Sequence, residues 1–190
     1  MAHVTGIILG AGLSRRLGRP KQTLPLGDTT LLGWVVREAE RSSLDRVVLV
    51  ATDEIATTRA EVVSPDGRDP SCTATSLRSG LAAAGETDAV LLLLGDMPSV
   101  DAALVDAVRA EWEATRPWAL ATEYEEARGH PLVFSAEAVS ALRAAEGRKV
   151  AWRLLESEPE RVATVRVARP LPRDVDTWED YEAVLAERAP

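Results

Sequence analysis

"GIILGAGLSRRLGRPKQTLPLG", residues 6–27, decides how the rest of the chain is read. It begins as an apolar, strand-like run, breaks at Gly10-Ala11-Gly12, and then places Arg15, Arg16, Arg19 and Lys21 within seven residues. A strand that ends in a glycine turn is the opening of a βα unit. The glycines let backbone come close to a ligand, and successive amides in such a turn form a concave anion site. The chain as a whole carries a net charge of -8, with 30 acidic against 22 basic residues. The cations are therefore a local device, and the turn and its charge together read as a seat for a polyphosphate. The acidic balance argues against a nucleic-acid or anionic-membrane surface, because such surfaces collect Lys and Arg.

Outward from that turn, short β-rich runs alternate with stretches of helical period. Strands are expected at 4–9, 46–52, 89–94, 118–124, 131–134 and 162–167, and helices at 30–42, 76–85, 100–116, 136–146, 151–158 and 177–188. The runs around Ile7, Val48 and Leu92 are apolar on both faces, as central parallel strands covered by helices on two sides must be. The expectation is an α/β chain in three αβα layers with a mostly parallel sheet, forming a single domain over 1–190. The longest aliphatic run, Ala89 to Leu94, is far short of the roughly 18 apolar residues of a membrane span. The N-terminal run lacks the basic start and small neutral cleavage site of a secretion signal. The one cysteine, Cys72, has no disulfide partner. A cytoplasmic location and a reducing compartment follow as expectations.

In such a sheet, ligands sit outside the carboxyl ends of the strands, which is where the opening turn falls. A Walker-type phosphate loop would need Lys followed by Ser or Thr, and here Lys21 follows Pro20 and precedes Gln22. A dinucleotide fingerprint would need a third glycine where Arg15 stands, which disfavours a nicotinamide-dependent oxidoreductase. The plainest rival is a solvated turn whose cations pair with the acidic excess.

A second constellation is "LLLLGDMPSV", residues 91–100. Asp96, at the carboxyl end of a buried strand, is placed where a hard cation could bridge to phosphate. It could equally be a turn or helix-capping residue beside Pro98. A third is "RPLPRDVDTWEDYEAVL", residues 169–185, in which Asp174 and Asp176 are read as pointing to different sides of an extended segment, so that one of them faces the metal. Asp176 could instead cap the helix that begins with Thr177 before Asp180.

"LGAGLSRRLGRPKQTLPLGDTTLL", residues 9–32, resembles the opening signature of the nucleotidyltransferase superfamily, in the branch of the molybdenum-cofactor cytidylyl- and guanylyltransferases. The matching positions are Leu9, Gly12, Ser14, Arg16, Gly18, Lys21, Pro25 and Leu31-Leu32; Gly10 stands where the family usually has Ala. The resemblance implies a Rossmann-like nucleotidyltransferase fold. It also implies that Leu9, Gly10, Ala11, Gly12, Ser14, Arg15 and Lys21 bind nucleotide, that Arg16, Lys21 and Asp96 are catalytic, and that Asp96 ligates magnesium with Asp174 or Asp176. "TATSLRSGLAAA", residues 73–84, is similar to the family's base- and ribose-proximal helix start through Ser76, Arg78 and Gly80. "RGHPLVF", residues 128–134, is similar to a Gly-His-Pro strand entry, which puts His130 near the acceptor or makes it a loop residue bonded to backbone. The run "EGRKVAWRLL", residues 146–155, departs from the family's Gly-Asp-x-Gly pattern, and Trp178 replaces a usual Pro.

The implied chemistry joins an acceptor phosphate to the α-phosphorus of a nucleoside triphosphate and expels pyrophosphate. Both partners are anions, so positive charge and positioning lower the barrier, and an already ionised phosphate needs no general base. The expected substrates are CTP, favoured by Ala11 and the Asp-x-Asp-Thr tail, and a molybdopterin-type cofactor, with a molybdoenzyme or its chaperone as a protein partner. GTP, or a sugar or alcohol phosphate acceptor, gives the same reaction with another product. A non-catalytic module that carries nucleotide or cofactor is the alternative from a different class.

Overall fold

In a computed structural model of the chain, residues 1–12, 14, 16–52, 58–66, 73–145, 147 and 149–188 are described. The chain opens with strand β1 (Val4–Leu9), passes through the glycine turn and a single 3-10 turn at Lys21–Thr23, and forms a small hairpin of β2 (Pro25–Leu26) and β3 (Thr29–Thr30). Then follow α1 (Leu31–Arg41), β4 (Arg46–Val50), β5 (Glu61–Val63), α2 (Thr73–Ala84), β6 (Ala89–Leu94), α3 (Ala102–Thr115) and β7 (Ala119–Glu123). The remaining elements are β8 (Arg128–Ser135), α4 (Ala136–Ala144), α5 (Val150–Ser157), β9 (Val162–Arg166) and α6 (Trp178–Glu187).

Seven strands form one sheet in the order β5-β4-β1-β6-β8-β7-β9. All neighbours are parallel except where β8 runs antiparallel to both β6 and β7. The mostly parallel, helix-covered sheet has the Rossmann-like three-layer architecture expected. Side chains of β6 alternate between its faces, with Leu91 and Leu93 packing under α1 and α3 and Val90 and Leu92 packing under α2, α4 and α5. That two-sided burial is why the central strands carry no polar alternation. Helix α1 buries Leu31, Leu32, Val35, Val36 and Ala39, the stripe that a 3.6-residue period predicts.

A third, smaller cluster positions the site. Val175, Tyr181 and Val184 pack on Leu17, Leu24, Leu26 and Leu31, which docks α6 and the segment before it onto the basic turn and the hairpin. The Tyr181 hydroxyl donates to the Pro25 carbonyl, and Val175 N donates to the Asp96 carbonyl at 3.0 Å. Thr177 and Asp180 form a capping box at the start of α6.

Two expected starts shift by three residues each. The strand expected at 131–134 begins at Arg128, since Gly129 and Pro131 read as turn residues although a strand beside the cleft accepts both. Helix α2 starts at Thr73 instead of Ser76. The hairpin and β5 are too short to show a period. Cys72 and most of the 64–72 connection lie outside the described residues. No helix among the described residues is long and apolar enough to cross a membrane.

Candidate active site

The carboxyl ends of β1 and β6 and the start of β8 meet at one edge of the sheet, and a cleft of about 990 Å³ opens there. Gly10 and Gly95 bring the first two turns together. A Cβ on Gly95 would lie 2.6 Å from Leu32 Cδ1 and 3.1 Å from Gly10 Cα, and one on Gly10 would lie 2.9 Å from Leu32 Cδ2. Gly10 is thus set by the Leu32 side chain beneath it. Its amide is also committed, donating to the Val50 carbonyl at 2.8 Å, so Gly10 lines the cleft without a free backbone donor. The amides of Ala11 and Gly12 make no hydrogen bond among the described residues and border the cleft beside Leu9.

The rest of the turn is held by polar contacts. Ser14, at φ 46°, accepts from Lys21 N at 2.8 Å and donates to Gln22 Oε1, and Gln22 Nε2 donates to the Gly12 carbonyl at 2.6 Å. Ser14 acts on the turn and does not line the cleft. Gln22 is a site residue that no sequence pattern announced, since its partners are all within the turn itself. Arg15 lies outside the described residues.

Lys21 is the centre of the arrangement. It is 7% exposed, and its ammonium donates to Asp96 Oδ2 at 2.6 Å and Asp176 Oδ1 at 2.7 Å. Burial works against its charge, but Asp96 and Asp176 outweigh it, so the amine stands above its ordinary pKa and stays charged. Arg16 reaches the other oxygen of Asp176 at 3.6 Å from the exposed rim. Asp174 lines the cleft, and its carboxyl is pushed up to about 6 by burial and then by the negative charges of Asp96 and Asp176, with Lys21 opposing. Its side chain keeps water contact at the mouth, while the flanking protein thins the solvent around it. The expected divergence of Asp174 and Asp176 does not hold. Residues i and i+2 of an extended segment share a side, and here Val175 points the other way into the third cluster, leaving both carboxylates with Lys21.

The fit of a divalent cation follows from these donors. Among the described residues, no group of three or more His, Cys, Asp or Glu side chains is arranged to hold a metal. Two carboxylates that already converge on one ammonium offer the hard oxygens that magnesium or manganese takes from protein, with substrate phosphates supplying more. The residues therefore fit a cation that arrives with phosphate, held by Asp96 and by Asp176 or Asp174.

Helix α2 contributes Thr73 and Ser76 to the cleft. Arg78 is exposed and is not among the residues lining the cleft, and Gly80 packs against the sheet, where a Cβ would lie 2.6 Å from Ile7 Cγ2. His130 lines the far half at 5% exposure. Its Nδ1 lies 3.3 Å from the Leu92 carbonyl, and its ring meets Trp152 edge to face at 5.8 Å. Burial holds its pKa near 4, against the Leu92 carbonyl and the charge of Asp96, so the ring is neutral. His130 therefore bonds the backbone and lines the cleft, and it does so from strand β8, not from a loop. Trp152, Arg128 and Lys149 complete this half. None of the three was singled out in sequence, since Trp152 fits the helical period of α5, Lys149 simply follows Arg148, and Arg128 stands alone.

Comparison with known proteins bears on the family and the fold. The family model for the MobA-like NTP transferase domain matches residues 6–163. The structure of a Mycobacterium sp. strain JC1 homolog of Mycobacterium tuberculosis Rv0371c is 36% identical over 97% of this chain and 96% of its own, with a TM-score of 0.87. Rv0371c from Mycobacterium tuberculosis in complex with manganese is 30% identical over 98% of this chain and 100% of its own, with a TM-score of 0.78. The 3-deoxy-manno-octulosonate cytidylyltransferase of Leptospira interrogans is 30% identical over 131 residues, 64% of this chain and 51% of that protein. The chain thus spans about half the length of the curated relatives that it matches.

Proposed function

Because the chain belongs to the MobA-like NTP transferase domain family, we propose that it transfers a nucleoside monophosphate from CTP to a phosphorylated acceptor, a molybdopterin-type cofactor, and releases pyrophosphate. The observation that carries this reading is the Lys21 ammonium held between Asp96 and Asp176 next to the open amides of Ala11 and Gly12. A fixed cation, two hard carboxylates and free backbone donors at one strand edge are what a triphosphate requires.

The acceptor's phosphate oxygen bonds to the α-phosphorus as the bond from that phosphorus to the pyrophosphate oxygen breaks. The Ala11 and Gly12 amides and Arg16 take the charge that collects on the leaving β- and γ-phosphates. Lys21, charged at every working pH, leaves its carboxylates to neutralise the α-phosphate. A divalent cation held by Asp96 with Asp176 or Asp174, magnesium in this reading, would add Lewis-acid polarisation of the phosphoryl oxygens when bound. CTP is favoured over GTP by the Asp174-x-Asp176-Thr177 tail and by the cytidylyltransferase among the relatives. That relative also supports a second reading, in which the acceptor is an acidic sugar such as 3-deoxy-manno-octulosonate.

The test is pyrophosphate release with magnesium and each of CTP, GTP, ATP and UTP, using molybdopterin-type cofactor and 3-deoxy-manno-octulosonate in turn. Release with CTP and the cofactor is the expected result. Release with the sugar acid alone would replace the acceptor, and nucleotide binding without release would favour a carrier.

A further inference from the structure

The turn that carries Asp96 is held at two of its carbonyls, and both holds come from the segment that carries Asp176. Val175 N donates to the Asp96 carbonyl at 3.0 Å, and a guanidinium nitrogen of Arg188 donates to the Pro98 carbonyl at 2.5 Å. The two donors flank α6, a rod of 10 residues and about 15 Å, so one helix reaches the turn from both of its ends. A turn fastened at one point can pivot. Fastened at two, it keeps its orientation and with it the direction of the Asp96 side chain, which must meet Lys21 at 2.6 Å.

Arg188 is itself fixed. Its guanidinium carbon stands 4.1 Å from the centroid of the Trp34 ring on α1. The guanidinium of Arg37 stands 4.5 Å from the same ring and pairs with both carboxylate oxygens of Asp28 at 2.9 and 3.0 Å. A planar guanidinium over an aromatic face has a set direction that a flexible ammonium lacks. The acids that surround Arg188 are engaged elsewhere: Glu38 accepts from Arg41 and Ala102 N, and Asp101 accepts from Arg169 and Leu104 N. Among the described residues Arg188 makes no salt bridge, and its directed contacts are the ring and the Pro98 carbonyl. It is not among the residues that line the cleft.

We infer that Arg188 is a positioning residue: by holding Pro98 it sets the turn so that Asp96 and Asp176 converge on Lys21 in one arrangement, and it does this without touching the nucleotide. The inference rests on the proposed function for the reaction it serves.

The test reads Lys21 directly. The chain has two lysines, Lys21 and Lys149, so a nitrogen-15 ammonium spectrum is assigned by Lys21→Met. Arg188→Met is expected to shift and broaden the Lys21 signal as Asp96 slackens, and to lower kcat for pyrophosphate release about tenfold with the KM for CTP nearly unchanged. Arg188→Lys should fall between, because an ammonium cannot lie flat on Trp34 while it donates to Pro98. Arg37→Met, which loosens the same ring without touching the turn, should lower the melting temperature and leave both the Lys21 signal and kcat as they are. An unmoved Lys21 signal in Arg188→Met, an equal shift in Arg37→Met, or an unchanged kcat beside a shifted signal would each overturn the inference. If Arg188→Met does not fold, Arg188→Lys decides, and a wild-type Lys21 signal there overturns it. A shifted signal in a protein whose wild type releases no pyrophosphate with any nucleotide would instead strike the proposed function alone.

Discussion

Lys21 concentrates the chemistry of the site in one side chain, and its removal separates two effects. Lys21→Met leaves Asp96 and Asp176 facing each other with only the rim cation Arg16 on Asp176. Asp176 is half exposed, so the stability loss should fall below the roughly 3–5 kcal/mol of a fully buried pair, and urea unfolding will read it. Turnover should drop on the order of a hundredfold or more, mainly in kcat, if the ammonium acts on charge developing in transfer. An effect confined to KM would make it a ground-state contact. Asp174 predicts a pH dependence of opposite sense to an ordinary ion-paired carboxylate. Its pKa rises from 3.8 unfolded to about 6 folded, so the native state binds the extra proton between those values and loses stability as pH climbs through that window. Asp174→Asn should raise the melting temperature above pH 6, with the gain vanishing below pH 4; a gain that is constant with pH would contradict the assignment. Lys21 and Asp96 were legible because charge next to a glycine turn or at a strand end is rare and local. Gln22 and Trp152 were not, since what makes them matter is a turn carbonyl in one case and, in the other, an imidazole on strand β8, remote from helix α5.

At the scale of elements, the turns after β1 and β6 share one support, the Leu32 side chain of α1. Gly95→Ala should destabilise the fold by about 1–3 kcal/mol through overpacking. Leu32→Val in the same chain should return part of that loss, and simple additivity in a double-mutant cycle would show that the contact does not govern the turn. Helix α6 holds Asp176 from behind through its capping box, so Thr177→Ala should cost about 1 kcal/mol and also raise the KM for nucleotide. The central strands were readable because a strand buried on both faces leaves a run such as Val90-Leu91-Leu92-Leu93 with no polar interruption. Strand β8 hid its first residues behind Gly129 and Pro131, and the β2–β3 hairpin has only two residues per strand, too few for any period. The relation of Asp174 to Asp176 was missed because the deciding residue is Val175, whose burial depends on Leu17 and Leu26, remote in sequence.

Over the whole molecule, one sheet edge gathers the functional groups and the two covered faces carry the stability. The three-layer plan could be inferred from alternation and apolar runs, whereas the gathering of Lys21, Asp96 and Asp176 at the strand ends exists only once the chain is folded. The α6 docking that joins Asp176 to Lys21 spans 155 positions, and the Tyr181 contact with Pro25 spans 156. Closing so long a loop costs more entropy than pairings such as β1 with β4, whose partners Thr5 and Arg46 lie 41 positions apart. The sheet is therefore expected to assemble before the two pieces of the site meet, which would make nucleotide binding a late event of folding. On dilution from urea, backbone circular dichroism should recover before CTP binding does, and a chain caught between the two would be ordered, compact and inert.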